Sequence, residues 1–334
     1  MAKVLICDDS AFMRKIFSDT IKKDSELELA ETAYNGEDAL RKLKNLDVDL
    51  LMLDVEMPKL NGLETLEIVK NKYPKIPVIM VSALDNRETV FRALELGAFD
   101  FVPKPSGSIS LNIDSIKEEL ITKLKAAHKS KKERVTKPVK IRKRIKSFPI
   151  VAIGTSSGGP RALSTLLSGI PNNFPAAFVI VQHMPAGFTK TLADRLNSIS
   201  GLSIKEAEAG DKLKKGHALL APGDYHLEIN NNGQVKLNQN PKEHGVRPSV
   251  DYMLKSLAQN YNAERITAVI LTGMGRDGAV GMEELTNNGA YGIIEAKESA
   301  LVYGMPSAAA AKGAYDEILN INDIAARLIE IVEG

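Results

Sequence analysis

At 334 residues, 44% of them hydrophobic, the chain is long enough for about two domains with real cores. Its apolar runs, such as 178–181 and 266–271, fall far short of the roughly 18 residues of a membrane helix, and its start lacks a signal-peptide layout, so a cytoplasmic protein is expected. The single cysteine, Cys7, rules out an internal disulfide framework and reads as a packed strand residue.

Over the first 125 residues, apolar runs at 4–7, 50–53, 78–81 and 99–102, with a weaker one at 27–33, alternate with amphipathic stretches at 11–23, 37–46, 62–72 and 87–96. That alternation predicts a parallel α/β sheet with its functional residues at the carboxyl ends of the strands. The polar residues fall at those ends: Asp8-Asp9 after the first strand, Asp54 after the third, Ser82 after the fourth, and Lys104-Pro105 after the fifth. Three carboxylates on one edge repel one another unless a cation joins them, and an oxygen-only set with few carboxylates suits Mg²⁺. One carboxylate can then act as nucleophile toward a phosphoryl group, with Ser82 and Lys104 suited to contact its oxygens. A single aspartate at a strand end is an ordinary turn or cap residue; the combination with Lys104 is not.

This segment resembles the receiver domains of two-component response regulators through Cys7-Asp8-Asp9-Ser10, Leu53-Asp54-Val55-Glu56-Met57-Pro58, Asn61-Gly62, Val81-Ser82-Ala83 and Val102-Pro103-Lys104-Pro105. The resemblance implies a flavodoxin-like (βα)5 fold over residues 1–125, phosphorylation at Asp54, and Mg²⁺ held by Asp9, Asp54 and the backbone carbonyl of Glu56 with Asp8 in support. It further implies Ser82 and Lys104 as phosphate contacts, Phe101 as the switch aromatic and a cis Lys104-Pro105 bond.

Residues 126–147 read as a linker. Between Lys129 and Lys146 there are ten Lys/Arg against Glu133 alone, so this stretch carries +9 and the rest of the chain −7 of the +2 total. With no aromatic before Phe148, and with Pro138 inside it, the stretch fits a solvated connection better than a nucleic-acid tether, and no nucleic-acid partner is expected.

From residue 148 a second α/β pattern begins, with a strand at 150–153, the turn Gly154-Thr155-Ser156-Ser157-Gly158-Gly159-Pro160 and a helical run at 161–167. A dinucleotide loop would need glycine at 156 and an acid after the next strand; the chain has Ser156 and His183. Gly154-x-Ser156-x-Gly158 instead fits a nucleophile elbow. His183 closes the strand at 178–182, and Asp277 follows the strand at 266–272 within Gly273-Met274-Gly275-Arg276-Asp277-Gly278. Nucleophile, base and acceptor are thus all available, although Ser157 competes with Ser156 for the first role. Their order, Ser-His-Asp, differs from the Ser-Asp-His of α/β-hydrolases and predicts another fold with the same division of labour. Backbone N–H groups beside the elbow and in the Met274 loop are oxyanion-hole candidates. His128, His217, His226 and His244 read as exposed or hairpin residues, and Asp211, Asp224 and Asp251 as turn or cap residues. Runs at 227–230 and 234–237 around Asn231-Asn232-Gly233 predict a hairpin insertion, and 203–208 and 217–221 further short strands.

This half resembles the catalytic domain of the chemotaxis protein-glutamate methylesterases, the CheB family. The matching text is Ile153-Gly154-Thr155-Ser156-Ser157-Gly158-Gly159, Gln182-His183-Met184-Pro185-Ala186-Gly187-Phe188, Leu220-Ala221-Pro222-Gly223, Arg247-Pro248-Ser249-Val250-Asp251 and Leu271-Thr272-Gly273-Met274-Gly275-Arg276-Asp277-Gly278. The resemblance implies a doubly wound, mainly parallel catalytic domain over 148–334 in which Ser156, His183 and Asp277 demethylate chemoreceptor glutamyl esters and deamidate receptor glutamines without a cofactor. Met274 would give its N–H to the oxyanion hole and Ser157 would hold His183. A chemotaxis histidine kinase is the implied phosphodonor, contact with the membrane is indirect through the receptors, and a monomer is expected. The alternatives are a response regulator whose output domain only binds, and a hydrolase of some other ester.

Overall fold

The structure, a computed structural model, describes residues 1–83, 87–104, 113–129 and 149–333. The chain divides into two compact units, described here one at a time.

In the first unit, β1 (Ala2–Cys7), β2 (Leu27–Ala33), β3 (Leu50–Asp54), β4 (Val78–Ser82) and β5 (Asp100–Pro103) form one sheet in the order β2-β1-β3-β4-β5. Every pairing is parallel. Strands β3 and β4 are buried along their whole length, as strands covered on both faces must be. The helices α1 (Ala11–Lys22), α2 (Gly36–Asn45) and α3 (Gly62–Lys72) start at polar caps. Ser10 accepts from the Met13 N–H, Asn35 from Asp38, and Asn61 forms a reciprocal capping box with Glu64. α4 (Arg87–Glu95) and α5 (Ile113–Lys129) complete the unit, the latter continuing past residue 125. Strand order reverses between β1 and β3, so the crevice at the carboxyl edge opens between Asp8-Asp9 and Asp54. Cys7 is free and buried.

The second unit is built on seven parallel strands: β6 (Ile150–Thr155), β7 (Ala177–Gln182), β8 (Ser203–Glu206), β9 (His217–Leu220), β12 (Ile266–Ile270), β13 (Tyr291–Glu295) and β14 (Glu317–Leu319), in the order β14-β13-β12-β6-β7-β9-β8. The hairpin β10 (His226–Ile229) and β11 (Val235–Asn238) stands apart as an antiparallel pair. Its Leu227, Ile229 and Val235 share a core with Met253, Leu254 and Leu257 of α8 (Val250–Asn260). α6 (Gly159–Ser168), α7 (Phe188–Ile199), α9 (Ala279–Asn287), α10 (Met305–Ala311) and α11 (Ile321–Glu333) complete the unit. The chain steps from β6 to β7 on one side and returns later to β12 on the other, so this sheet also has a switch point, beside β6.

Strand β12 ends at Ile270 rather than at the expected Thr272. Leu271 still donates to Gly154 O, but the Thr272 N–H leaves the strand ladder for the side chain of Glu295. α7, α8 and α9 were not anticipated individually, and α8 proves the most consequential. Among the described residues no helix is long and apolar enough to cross a membrane.

Phe178 on β7 is fully buried, its ring 5.9 Å from that of Phe174. Phe178→Ala should cost about 3–5 kcal/mol. Guanidinium unfolding reads this as a lower midpoint, and an unmoved midpoint would contradict the core assignment.

Candidate functional site

At the carboxyl edge of the first sheet, oxygens of Asp8, Asp9 and Asp54 lie within 4.8 Å of one another. Asp8 and Asp54 are buried, and Asp9 is exposed. Lys104 Nζ sits 2.6 Å from Asp54 Oδ2 and 3.2 Å from Asp8 Oδ2. One ammonium therefore faces two buried carboxyls. Burial pushes the Asp54 carboxyl up to about 6, with Asp8 adding to the rise and Lys104 opposing it, and burial likewise raises Asp8. Burial also works against the Lys104 ammonium, but its hydrogen bonds and charge interactions with Asp54 and Asp8 together outweigh this and its pKa rises. Asp8 Oδ1 accepts from the Ser10 N–H at 2.9 Å, whereas among the described residues Asp8 Oδ2 meets only the Lys104 ammonium, which it shares with Asp54. A buried carboxylate oxygen of this kind, in an all-oxygen donor set with an anionic surplus, fits a hard divalent cation.

The rest of the predicted set surrounds this center. Ser82 is buried at the end of β4, its hydroxyl donating to Ala83 O at 3.1 Å. Phe101 is buried on β5, with Lys123 Nζ 5.2 Å from its ring centroid. Glu56 is exposed, its N–H 3.4 Å from Asp54 Oδ1. A Cβ on Gly62 would come within 2.1 Å of Asp54 O, so only glycine lets α3 start this close to β3. The expected cis bond at Lys104-Pro105 lies outside the described residues.

In the second unit, Ser156, His183 and Asp277 follow the adjacent strands β6, β7 and β12. Thr155 pairs with Gln182, and the His183 N–H donates to Thr155 O at 3.1 Å, which places the serine and the histidine side by side. His183 Nε2 lies 2.8 Å from Asp277 Oδ2. The Ser156 N–H donates to Thr272 O at 3.0 Å, and a Cβ on Gly273 would come within 2.8 Å of Ser156 Cβ. Ser156 is thus wedged between the β7 and β12 loops. The left-handed backbone that the elbow requires falls on Gly158, with φ of 79°.

Asp277 is 2% exposed, and its carboxylate meets four donors. Oδ1 accepts from Ser249 Oγ (2.8 Å) and the Asp251 N–H (2.9 Å), and Oδ2 accepts from the Val250 N–H (2.6 Å) and His183. It sits at the N-terminus of α8, where free N–H groups and the helix dipole favour an anion. Burial alone would raise its pKa, but the bond to His183 and these N–H groups outweigh burial and hold it below the usual carboxylate value. With Nε2–H directed at Asp277, Nδ1 of His183 is the nitrogen left to act as base. Among the described residues the N–H groups of Ser157 and Met274 donate to no acceptor, which leaves them available to a developing oxyanion. The hydroxyls of Ser156 and Ser157 make no hydrogen bond to His183 in this state; elbow hydrogen bonds of this kind often tighten only with substrate.

Three contributors carried no local signal. Gln182 Nε2 donates to both Ser156 O (2.9 Å) and His183 O (3.0 Å), tying the two loops together. A Cβ at Gly159 would overlap its amide oxygen, so that glycine makes room for the clamp. Asp251, read as a simple cap, is fully buried and accepts from the Gly281 N–H (2.6 Å) and from His244 Nε2 (2.8 Å). His226, read as an exposed or hairpin residue, does lie in the hairpin but is fully buried, stacked on Tyr252 at 4.2 Å. Such contacts arise between distant segments and have no spacing to betray them.

A family model described as CheB methylesterase matches residues 151–328, and one described as response regulator receiver domain matches residues 4–113. A Pyrococcus abyssi protein named protein-glutamate methylesterase/protein-glutamine glutaminase is 42% identical over 99% of this chain and 94% of its own length. A Bacillus subtilis protein of the same name is 42% identical over 100% of this chain and 99% of its own. The crystal structure of the Thermotoga maritima CheB methylesterase catalytic domain is 46% identical, with a TM-score of 0.54, and spans 56% of this chain and 100% of its own. The likeness therefore runs through both units rather than through one motif.

The depressed pKa of Asp277 fixes the sign of a pH effect. Its folded value lies below the ordinary 3.8, so its stabilisation is fully present above about pH 3.8 and fades as pH falls through the folded value. Asp277→Asn should cost about 1–3 kcal/mol at pH 7 and progressively less toward pH 3. Denaturant titrations across that range test this, and a penalty that does not shrink in acid would count against a depressed carboxyl.

Proposed function

The chain belongs to the CheB methylesterase family and carries a response regulator receiver domain ahead of the catalytic one, and on that footing we propose how its residues perform and control the hydrolysis. The protein is a protein-glutamate methylesterase and protein-glutamine glutaminase of chemotaxis. Residues 1–125 form the receiver, 126–147 the linker and 148–334 the catalytic domain in this reading.

Ser156 Oγ attacks the glutamyl ester carbonyl while its proton passes to His183 Nδ1. Asp277, held anionic by the start of α8, stabilises the imidazolium through Nε2–H. The N–H groups of Ser157 and Met274 receive the oxyanion, a contribution of about 10²–10³ in rate per donor in known hydrolases. Methanol leaves with the proton from His183. Water, deprotonated by His183, then attacks the acyl-enzyme, and glutamate and free Ser156 are released. With a glutamine substrate ammonia is the leaving group and the remaining steps are unchanged. The observation that carries this reading is the pairing of half-buried His183 with buried Asp277 beside Ser156, with two unpaired N–H groups next to the nucleophile.

In the receiver, Asp54 is the phosphoryl acceptor, and Lys104 and Ser82 contact the transferred oxygens. Asp8, Asp9, Asp54 and the Glu56 carbonyl are the residues that would hold Mg²⁺, whose charge when bound offsets that of the phosphoryl group. The three clustered carboxylates and the anionic surplus they leave around the single Lys104 ammonium support this assignment. Phe101 serves as the switch aromatic. A chemotaxis histidine kinase supplies the phosphoryl group, the methyl-accepting chemoreceptors are the substrates, and the protein works as a cytoplasmic monomer that reaches the membrane only through them.

Ser156→Ala should lower methanol release from methylated receptor membranes by about 10³-fold or more; undiminished release would defeat the esterase assignment. Adding acetyl phosphate should raise the wild-type rate, and Asp54→Ala should erase that rise. Removing divalent cations with EDTA should abolish labelling of Asp54 by acetyl phosphate while leaving unstimulated methanol release unchanged. Labelling that persists in EDTA would exclude a metal-dependent phosphorylation site.

A further inference from the structure

Glu295, the last residue of β13, is 1% exposed and takes no part in the chemistry above. Its Oε2 accepts from the Thr272 N–H at 2.7 Å and its Oε1 from Ser299 Oγ at 3.0 Å. Among the described residues no cation pairs with it. Among neighbouring charged groups, Glu317 on β14 is bound to Arg327, Lys297 lies toward the Tyr303 ring, and Glu298 is exposed. A buried carboxyl without a countercharge is costly, and burial pushes this one up to about 7. Its two hydrogen bonds come from the Ser299 hydroxyl and from one backbone N–H, and the residue bearing that N–H is the hub of the hydrolytic site.

Thr272 O accepts from the Ser156 N–H (3.0 Å) and from Thr155 Oγ1 (2.9 Å). Thr272 Oγ1 donates to Ser157 O (2.9 Å) and accepts from the Val302 N–H (2.9 Å). The next two residues are Gly273, packed against Ser156, and Met274, whose N–H is unpaired. The orientation of the Leu271–Thr272 peptide therefore bears on both the nucleophile and the oxyanion donor. β12 has ended at Ile270, so no neighbouring strand backbone accepts this N–H, and the Glu295 carboxyl takes that place. Ser299, which accepts in turn from the Ile321 N–H at 3.0 Å, anchors the carboxyl from behind.

We infer that Glu295 is a positioning residue of the esterase: its carboxyl holds the Thr272 N–H and thereby sets the Ser156 elbow and the Met274 loop at the separation that acyl transfer requires. Any acceptor of the same length and shape can do this, charged or not. The inference rests on the hydrolytic reading of Ser156.

Three full-length variants separate this role from a contribution to folding alone. Glu295→Gln keeps an acceptor in place and should retain kcat within about threefold. Glu295→Leu fills the volume without an acceptor, and Glu295→Asp withdraws the acceptor by one methylene. Both should lose on the order of tenfold or more in kcat per folded molecule with KM unchanged, since misplacement on the scale of 1 Å can cost about 10²-fold. Hydrogen exchange should quicken in the Leu and Asp variants at residues 155–158 and 271–275 and stay at the wild-type rate in the Gln variant. If the Leu variant does not fold, the Asp variant decides the matter. Wild-type kcat in a folded Leu or Asp variant, or unchanged exchange in both segments, overturns the inference. Methanol release absent from the wild type itself, with exchange altered as described, would sink the reaction assignment and leave the anchoring by Glu295 standing.

Discussion

An anion removed from water must find donors, and Asp277 finds four: one imidazole, one hydroxyl and two backbone N–H groups at the head of a helix. Much of the catalytic unit follows from that requirement. α8 must begin where its first N–H groups reach the β12 loop, and Ser249 must turn its hydroxyl toward Asp277 while accepting from Tyr252. β6 must come close beneath, which is why Gly154 has no side chain: a Cβ there would fall 2.2 Å from Val250 Cγ1. The carboxylate so fixed engages His183 Nε2 and leaves Nδ1 for the proposed base. Packing, capping and tautomer are consequences of one burial.

The receiver meets a comparable problem differently. Asp8 and Asp54 are just as buried, but they share one ammonium from Lys104 and face an exposed third carboxylate, Asp9. Beyond Lys104, among the described residues only the Ser10 N–H at the head of α1 and the Glu56 N–H reach them, and the anionic surplus at the sheet edge is suited to a divalent cation and a phosphoryl group. One unit holds a carboxylate whose two oxygens are fully satisfied, and the other holds an anionic set suited to a transient ligand. Both sites stand at the reversal of strand order in a parallel sheet, where loops diverge and leave a crevice.

Glu295 belongs to the same logic one layer farther back. Thr272 carries the hydrogen bonds that join elbow to loop, and a buried carboxyl completes it from behind. Gln182 performs a similar service between Ser156 and His183. The proposed nucleophile, base and oxyanion donors are thus held by residues outside the proposed triad.

Much of this is legible in the sequence. Apolar runs alternating with amphipathic stretches specify parallel strands, and a residue that follows such a run must lie at the carboxyl edge; this was enough to collect Asp8, Asp9, Asp54, Ser82 and Lys104 at one edge and Ser156, His183 and Asp277 at another. The Asn-Gly hairpin was equally visible, because turn chemistry is local. What the sequence did not reveal depends on register between distant segments. That β12 lies against β6, that α8 begins over Asp277, that Thr272 turns its N–H to Glu295 and that Asp251 meets the Gly281 N–H are outcomes of which faces pack together. Periodicity records the face a residue occupies within its own element; the partner across the gap is chosen only when the whole core is filled and every buried polar group has been matched.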